Sequence, residues 1–282
     1  MTKLEDVKAL KYMSNTIRQD IIRMLVESKS GHPAGSLGLA DVFTALYFNV
    51  MKHDPKKPHW EDRDRLVLSN GHVCPVLYAS LANAGYFPKE QLTTLRKLGS
   101  PLQGHPHKGA LPGIENSSGP LGQGISMAVG MAIVGKREGR KWRVFTVTGD
   151  GEHNEGQVWE ALLLAYKYKL NNLIVIVDRN SIQIDGTTED VLPLDPFADK
   201  YRAFGWNVIE VDGNDMGAIL GAFGSVPANE RPTVIIADTV PGKGVSFMEG
   251  KYGWHGKSPN KEEGDKAIKK LEAARAALEA GK

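Results

Sequence analysis

The chain has 282 residues, of which 41% are hydrophobic and 24% are charged, so it carries enough apolar material for the core of one large globular unit. Its 35 basic and 33 acidic side chains leave a net charge of +2, which gives no electrostatic case for binding to nucleic acid or to an anionic membrane. The single cysteine, Cys74, excludes an internal disulfide and a thiolate metal cluster, and it favours a reducing compartment.

The N-terminal residues, MTKLEDVKALKYM, are charged and periodic, and they lack the apolar core of a signal peptide. The longest aliphatic run, LIVIV at 173–177, is far too short to cross a bilayer. We therefore expect a soluble protein in the cytoplasm.

The first part of the chain contains two helical patterns and a short strand. Residues 4–28 carry apolar side chains at helical spacing, which predicts an amphipathic helix, and Gly31 and Pro33 end it. The apolar run ADVFTALYFNVM at 40–51 predicts a buried helix, and RLVLS at 65–69 predicts a strand.

Four further apolar runs are rich in β-branched residues and predict strands buried on both faces. They are VFTVT (144–148), LIVIVD (173–178), WNVIEV (206–211) and TVIIADT (233–239). Helical patterns lie between them at 155–170, 196–205 and 214–226. Alternation of strand and helix predicts an α/β fold with a parallel sheet and helices on both faces.

Neither an internal repeat nor a Pro-, Gly- or Ser-rich linker divides the chain. We expect long loops at 99–122 and 240–259. The segment from about residue 260 is rich in Lys, Glu and Ala and predicts a terminal surface helix. The organisation predicted is one domain over residues 1–282.

The segment GDGEHNEG (149–156) follows the second predicted strand directly, and its acidic residue between two glycines is also typical of a simple turn. In a parallel sheet, however, ligands collect at the carboxyl ends of the strands. The next strand ends in RNSIQIDG, which brings Asn180 to the same edge as Asp150. A carboxylate, an amide oxygen and the carbonyl of Ile182 are hard oxygen donors that suit Mg²⁺, or Ca²⁺.

A Mg²⁺ ion with so few protein ligands normally shares its shell with water and phosphate oxygens. Gly149 and Gly151 let the backbone approach a phosphate, and Gly151 is expected to present a free N–H. We expect the Asp150 carboxylate to lie on a solvent-facing edge of the sheet. The sequence thus predicts a metal–diphosphate site.

A GDG motif, 28 residues between Gly151 and Asn180, and an intervening helix and strand resemble the thiamine diphosphate signature of transketolases. The resemblance runs from about residue 28 to residue 258. It rests on SKSGHPAGSLGLAD (28–41), DRDRLVLSNGH (62–72), GHPH (104–107), SSGPLGQGISMAVGMA (117–132) and YGWHGKSP (252–259). It implies the thiamine diphosphate-binding fold and transfer of a two-carbon ketol unit from a ketose phosphate to an aldose phosphate.

The resemblance also implies roles for particular residues. It implies Mg²⁺ ligation by Asp150, Asn180 and the Ile182 carbonyl. It implies cofactor contacts from His72, Gly119, Pro120, Leu121, Gly151, Asn180 and His255, to which the motif itself adds Gly149. Glu155 matches a carboxylate that lies at the subunit interface, in a network that links the two cofactors.

Four histidines adjoin glycine within these motifs and are the candidate catalytic residues: His32, His72, His105 and His255. An imidazole, with a pKa of about 6.5, can donate a hydrogen bond to the donor carbonyl oxygen and accept a hydroxyl proton as the carbon–carbon bond breaks. The other histidines have a different interpretation. We expect His53, His59 and His153 to be surface or satisfied core residues, and we leave the role of His107 open.

A complete transketolase is much longer than this chain, and the similarity stops after the diphosphate-binding domain. We therefore expect a separate C-terminal subunit that carries the pyrimidine-binding domain, in a homodimer or a two-plus-two heterotetramer. The alternatives are a subunit similar to 1-deoxyxylulose-phosphate synthase, the alpha subunit of a 2-oxo acid dehydrogenase, and a non-catalytic thiamine diphosphate-binding protein. The segments SGHPAGS and GPLGQG favour a transketolase, and the four histidines argue against a non-catalytic protein.

Overall fold

The structure is a computed structural model that describes residues 3–280. Its strands, in chain order, are β1 (Arg65–Leu68), β2 (Val144–Gly149), β3 (Leu173–Arg179), β4 (Ile182–Gln183), β5 (Gly186–Thr187), β6 (Asn207–Asp212) and β7 (Thr233–Asp238). Strands β4 and β5 form a small antiparallel hairpin. The others form one parallel sheet in the order β1–β2–β3–β7–β6, which confirms the predicted parallel sheet.

The helices lie between and around these strands. They are α1 (Val7–Ser28), α2 (Pro33–Gly38), α3 (Ala40–Ala45), α4 (Cys74–Ala84), α5 (Gln123–Arg137), α6 (Gly156–Lys167), α7 (Thr188–Val191), α8 (Phe197–Ala203), α9 (Met216–Gly224) and α10 (Lys261–Glu279). A π-helix, Leu46–Val50, continues α3. Within residues 3–280, none of the helices combines the length and apolar character that a bilayer crossing requires.

Side chains of the central strands alternate between two apolar cores, as the pleat of a strand requires. In β3, Ile174 and Ile176 join the core formed with α1, α3, α4 and α9. Val175 and Val177 join the opposite core, formed with α5, α6 and α8. Strands β2, β3 and β7 are therefore buried on both faces, as their continuous apolar runs predict. The same prediction is wrong for β6, whose residues are half-buried or exposed because it lies at the edge of the sheet.

The predicted C-terminal helix is α10, and it begins with a complete capping box. The side chain of Asn260 accepts a hydrogen bond from the N–H of Glu263 (2.9 Å), and the Glu263 carboxylate accepts one from the N–H of Asn260 (2.8 Å). Ala267 and Leu271 are buried, and the carbonyl of Leu271 accepts from the side chain of Asn15 in α1 (3.0 Å). The helix is thus fixed to α1 along one face and exposed along the other.

The carboxyl ends of four parallel strands meet at one edge of the sheet. Leu68 of β1 pairs with Val147 of β2, and Gly149 of β2 pairs with Asp178 of β3. The ends of β3 and β7 are likewise level with each other. The residues that follow these strands are consequently neighbours, although they are far apart in sequence.

His153 lies beneath this edge as a buried residue with both ring nitrogens hydrogen-bonded. Its partners are the Gly149 carbonyl (2.8 Å) and the Tyr201 hydroxyl (2.7 Å). Burial lowers the pKa of His153 to about 4. His153 is therefore a satisfied core histidine, in agreement with the expectation from the sequence.

This histidine should make the unliganded chain sensitive to acid. Because the folded-state pKa lies below the unfolded value of about 6.5, protonation favours the unfolded chain. The contribution of neutral His153 to the free energy of unfolding is complete above about pH 6.5. It is lost as the pH falls from about 6.5 towards 4, by up to roughly 3 kcal/mol.

Urea denaturation at pH 7.5 and pH 5 measures this effect. His153→Gln keeps a donor and an acceptor but cannot titrate in this range, so it should reduce the loss of stability on acidification. The exposed His59 provides the control, since His59→Gln should retain the full loss. An unchanged pH dependence in His153→Gln would assign the acid sensitivity to other groups.

Candidate active site

A cavity of about 360 Å³ opens at the carboxyl edge of the sheet. Its walls include all four candidate catalytic histidines, His32, His72, His105 and His255. Its lining also includes most of the predicted cofactor and metal residues: Gly119, Leu121, Gly149, Asp150, Gly151, Asn180 and Ile182. The structure thus brings together residues that span more than two hundred positions of the chain.

Asp150 directly follows β2 and is buried, with 1% of its surface exposed. Its carboxylate accepts hydrogen bonds from the N–H groups of Gly151 (2.8 Å) and Ser181 (2.6 Å), and the Arg179 guanidinium lies 3.4 Å away. Burial outweighs these contacts and raises the pKa of Asp150 to about 6. The expectation of a solvent-facing carboxylate is therefore wrong, because β3 and the chain after it cover Asp150.

The expectation of a free N–H at Gly151 is also wrong, since this group donates to Asp150. Neither Gly149 nor Gly151 has a left-handed backbone, so their conformation does not demand glycine. A Cβ on Gly149 would have its nearest neighbour at 3.9 Å, and one on Gly151 at 3.5 Å. A Cβ at either position would thus make ordinary van der Waals contacts, so neither backbone conformation nor packing against the described residues requires glycine here.

Asn180 is oriented by two hydrogen bonds. Its amide nitrogen donates to the buried Asp178 carboxylate (2.7 Å), and its Oδ1 atom accepts from the N–H of Ile182 (3.0 Å). The Thr239 hydroxyl, at the end of β7, also donates to Asp178. Burial, followed by the nearby Asp150 carboxylate, raises the pKa of Asp178 to about 7. Asp178 thus connects the candidate metal ligand Asn180 to β7.

His32, His72 and His255 form a triangle on one wall of the cavity. The distances between ring centroids are 5.0 Å for His32–His72, 5.2 Å for His72–His255 and 5.6 Å for His32–His255. His105 is more exposed and lies across from Gly119.

The pKa values of all four cavity histidines are lowered, and burial is the largest cause in each case. His32 falls to about 4, with further lowering by the neighbouring His255, Arg96 and His105. His72 falls well below its usual value. The imidazoles are therefore neutral at pH 7, so each has one ring nitrogen able to accept a proton.

Two predicted cofactor residues do not line the cavity. Pro120 is exposed between two residues that do, and Glu155 is exposed at the residue before α6, against Gly122. His107, whose role the sequence left open, lies outside the cavity in a neighbouring depression together with His105. His53 is bonded to Tyr47 and Tyr86 in another part of the fold.

Sequence reasoning missed Asn70 and Gln183, which line the cavity with unpaired polar atoms. Asn70 is 1% exposed, and both its Oδ1 and Nδ2 atoms have no hydrogen-bond partner within residues 3–280. The Nε2 atom of Gln183 and the Nδ1 atom of His32 are also buried and have no hydrogen-bond partner among the described residues. Asn70 follows β1, so the strand-end argument that identifies Asp150 and Asn180 would also have identified it.

Glu152 is a second residue that sequence reasoning missed. Its buried carboxylate accepts from the N–H groups of Gly122 (2.6 Å) and Gly149 (3.1 Å) and from the Ser69 hydroxyl. It thereby holds the end of β1, the start of α5 and the end of β2 together. No local pattern in the sequence predicts these contacts, because Ser69 lies 83 positions away.

The residues of the cavity fit a cation held together with an anionic organic ligand. Leaving a buried polar atom unpaired costs about 1–3 kcal/mol, and four such atoms belong to residues that line this one cavity. Within the described residues, no cluster of three or more His, Cys, Asp or Glu side chains is arranged to hold a metal. A cation here would therefore depend on Asp150, amide and carbonyl oxygens, and the ligand's own oxygens.

Comparison with known proteins agrees with a site for an anionic organic ligand. Residues 10–275 match the family model described as transketolase, thiamine diphosphate binding domain. The chain is 40% identical over 266 residues to an apulose-4-phosphate transketolase subunit of Phocaeicola vulgatus, with 94% of each chain covered. It is 43% identical over 264 residues to 6-deoxy-6-sulfo-D-fructose transketolase subunit SqwG of a Clostridium species, with 93% of this chain and 96% of the relative covered.

The fold is similar to that of solved transketolases. Superposition on the Campylobacter jejuni enzyme gives a TM-score of 0.89 at 32% identity and covers 97% of this chain. The match covers 46% of the Campylobacter chain, so this chain spans less than half the length of that enzyme. The family match, the relatives and the fold agree, and the chain belongs to the transketolase family, in which it corresponds to the thiamine diphosphate-binding domain.

Proposed function

We propose that this chain is the N-terminal subunit of a thiamine diphosphate- and Mg²⁺-dependent transketolase that transfers a two-carbon ketol unit from a ketose phosphate to an aldose phosphate. The observation that carries the proposal is the single cavity in which four histidines face an oxygen-donor set at the sheet edge. The presence of all four supports a catalytic subunit over a protein that only binds the cofactor.

The chain has suitable residues for both the metal and the cofactor. Mg²⁺ would be held by Asp150, the Asn180 Oδ1 atom and the Ile182 carbonyl. Ca²⁺ is the alternative ion, because it also prefers oxygen ligands. The diphosphate would lie over Gly149 and Gly151. The unpaired amide groups of Asn70 and Gln183 are available to it as donors, together with the other cofactor residues: His72, Gly119, Pro120, Leu121, Asn180 and His255.

Bound thiamine diphosphate would supply the electron sink for cleavage of the carbon–carbon bond. The chain's own contribution is orientation and proton transfer. Because His32 and His105 are neutral, each can donate to a sugar oxygen at one ring nitrogen and accept a hydroxyl proton at the other. The Nδ1 atom of His32 is buried and has no partner among the described residues, so no hydrogen bond within that part of the chain fixes which ring nitrogen carries the proton. The low pKa of His32 also disfavours retention of the proton between turnovers.

We further propose that residues 1–282 act as one domain and that a separate C-terminal subunit completes the enzyme. Support comes from relatives named as transketolase subunits, whose length this chain nearly matches. Large apolar side chains are exposed on α5 and α6, including Val134 and Leu163. A surface of this kind favours association, so we place a two-fold contact between two copies there, in a homodimer or a two-plus-two heterotetramer. Glu155, at the start of α6, would lie at this contact.

The cytoplasm is the proposed location. The free thiol of Cys74 is buried, and burial raises its pKa to about 12, so it is poorly nucleophilic and suited to a core. This placement agrees with the absence of a helix of membrane-spanning type among the described residues.

The donor-binding role of the histidines gives a direct test. In the assembled enzyme, His32→Ala and His105→Ala should lower kcat/KM for the ketose donor by about 100-fold or more, since a positioned proton-transfer group contributes roughly that much. Affinity for thiamine diphosphate, measured by calorimetry, should change little, because neither histidine belongs to the diphosphate end of the cavity.

His53 is the matched control, because it is a half-buried histidine outside the cavity. His53→Ala should retain donor kinetics once corrected for the fraction of folded protein. Equal losses in His53→Ala and His105→Ala would contradict the assignment of the histidines.

A further inference from the structure

We propose that Arg96 is a positioning residue for the donor-sugar part of the cavity, where its guanidinium ties the chain segment that carries His32 to the segment that carries His105. The inference rests on the proposed function, in which these two histidines contact the donor sugar. It concerns a side chain that lies outside the cofactor cavity and is not among the candidate catalytic residues.

The guanidinium of Arg96 makes one hydrogen bond to each segment. Its Nη1 atom donates to the Ser30 hydroxyl (2.9 Å), and its Nη2 atom donates to the Gly104 carbonyl (3.3 Å). Ser30 lies two positions before His32, and Gly104 directly precedes His105. One side chain therefore bridges two loops at the points from which the imidazoles project.

Gly104 shows how closely the guanidinium packs against the second loop. A Cβ atom built on Gly104 would lie 2.8 Å from the Cζ and Nε atoms of Arg96, closer than real Cβ contacts allow. The backbone of Gly104 has no left-handed conformation that would itself require glycine. The small size of residue 104 is thus explained by the position of the Arg96 side chain.

The backbone of Arg96 supports the same conclusion. Its φ of 59° is left-handed, a conformation that costs a non-glycine residue roughly 1–2 kcal/mol. Its N–H donates to the Leu102 carbonyl (2.9 Å), which closes the loop from residue 96 to residue 102. Glycine would fit this backbone without strain, so the arginine is present for its side chain.

The charge of Arg96 acts on the same two histidines. For His105, burial is the larger cause of its lowered pKa, and Arg96 is the second. For His32, burial comes first, followed by His255, Arg96 and His105. The depression of about 590 Å³ beside Arg96 is lined by His105, His107, Ser117 and other uncharged residues, with no carboxylate to offset the cation. Arg96 therefore helps to keep both imidazoles neutral.

The first experiment needs no turnover. NMR titration of the histidine ring protons in the full chain, without partner or cofactor, should show His105 and His32 titrating at higher pH in Arg96→Met than in the wild type. Arg96→Lys keeps the charge and should show a smaller change. Lys97→Met is the control, because Lys97 is the next residue, is exposed, and bonds to Glu27 of α1 and to neither Ser30 nor Gly104.

The second experiment uses the enzyme assembled with its C-terminal subunit. Arg96→Met should raise the donor KM by about tenfold, within the range for residues that only orient a functional group, and leave cofactor affinity unchanged. The acidic limb of its kcat/KM profile should move to higher pH, because loss of the cation raises the histidine pKa values. Gly104→Ala retains the positive charge of Arg96 but displaces its guanidinium. This variant should therefore raise the donor KM and leave the acidic limb of the kcat/KM profile nearly in place.

The two readouts separate this proposal from the proposed function. Histidine titrations in Arg96→Met that match those of Lys97→Met would overturn the role of Arg96, whether or not the enzyme transfers ketol units. Shifted titrations in an enzyme without ketol transfer would support the placement of Arg96 and reject the transketolase reaction.

Discussion

Replacing Asp150 by asparagine should lower the affinity for thiamine diphosphate in the presence of Mg²⁺ by more than the roughly 100-fold that marks the upper range for residues that merely orient metal ligands. Asp150 supplies the only carboxylate of the proposed ligand set, and the other protein ligands are an amide and a carbonyl oxygen. Asparagine preserves the shape of the side chain but removes the negative charge, so the loss should fall on the metal-dependent part of binding. Calorimetry of the assembled enzyme with and without Mg²⁺ measures it.

The choice of substitution follows from the burial of Asp150. Alanine would leave the N–H groups of Gly151 and Ser181 without their acceptor, at a cost of about 1–3 kcal/mol each in folding stability. Asparagine keeps an oxygen that can accept from one of them. In thermal unfolding without metal, Asp150→Asn should therefore have a higher midpoint temperature than Asp150→Ala.

Asp199 provides a matched control for charge. It is an exposed carboxylate on α8, paired with Arg202 outside the cavity. Asp199→Asn should leave cofactor binding unchanged at every Mg²⁺ concentration. Wild-type affinity in Asp150→Asn would remove Asp150 from the metal site.

The purified chain alone should transfer no measurable ketol units, and addition of a C-terminal transketolase subunit should restore transfer. In the proposed function, the cavity holds residues for the metal–diphosphate end, and the pyrimidine end of the cofactor lies on the C-terminal subunit. A ketose-to-aldose transfer assay with the two polypeptides tested separately and in combination measures the effect. The combination should also bind the cofactor more tightly than this chain does alone.

Stability offers a second readout of the same assembly. A cofactor present at about 100 times its dissociation constant adds about 2.7 kcal/mol of apparent stability. The increase should be larger for the combined subunits than for this chain alone at equal cofactor concentration. Full transfer activity without a partner would overturn the two-subunit proposal, and inactivity with it would favour the non-catalytic alternative.

The strands were predictable because their signal is local. Each of the five sheet strands is an apolar, β-branched run, and each predicted strand differs from the observed one by only a residue or two at its ends. The β4–β5 hairpin, which holds Ile182, was not predictable, because two-residue strands carry no periodic pattern. Helix α2 is a further difference, since Pro33 does not merely end the helical pattern of α1 but begins the next helix.

The site was predictable where family motifs or strand ends mark it, and unpredictable where it depends on distant contacts. His32, His72, His105 and His255 are marked by their motifs. No motif predicts the burial of Asp150, because this burial depends on Arg179 and Ser181, which the fold brings against the carboxylate. The roles proposed for Glu152 and Arg96 follow from bonds across 83 and 66 positions, for which no local rule exists.

The order of strands in the sheet has a consequence for biosynthesis. Strand β7 lies between β3 and β6, although it follows both in the chain. Until residues 233–238 have left the ribosome, β3 keeps an unpaired edge and β6 lacks the one strand it pairs with in the described sheet, and both are points of vulnerability to aggregation. Thr239, which hydrogen-bonds Asp178, arrives with this last strand, and His255 follows it. The nascent chain therefore acquires its complete cavity only after residue 255 has emerged, and a ligand can support folding only from that point.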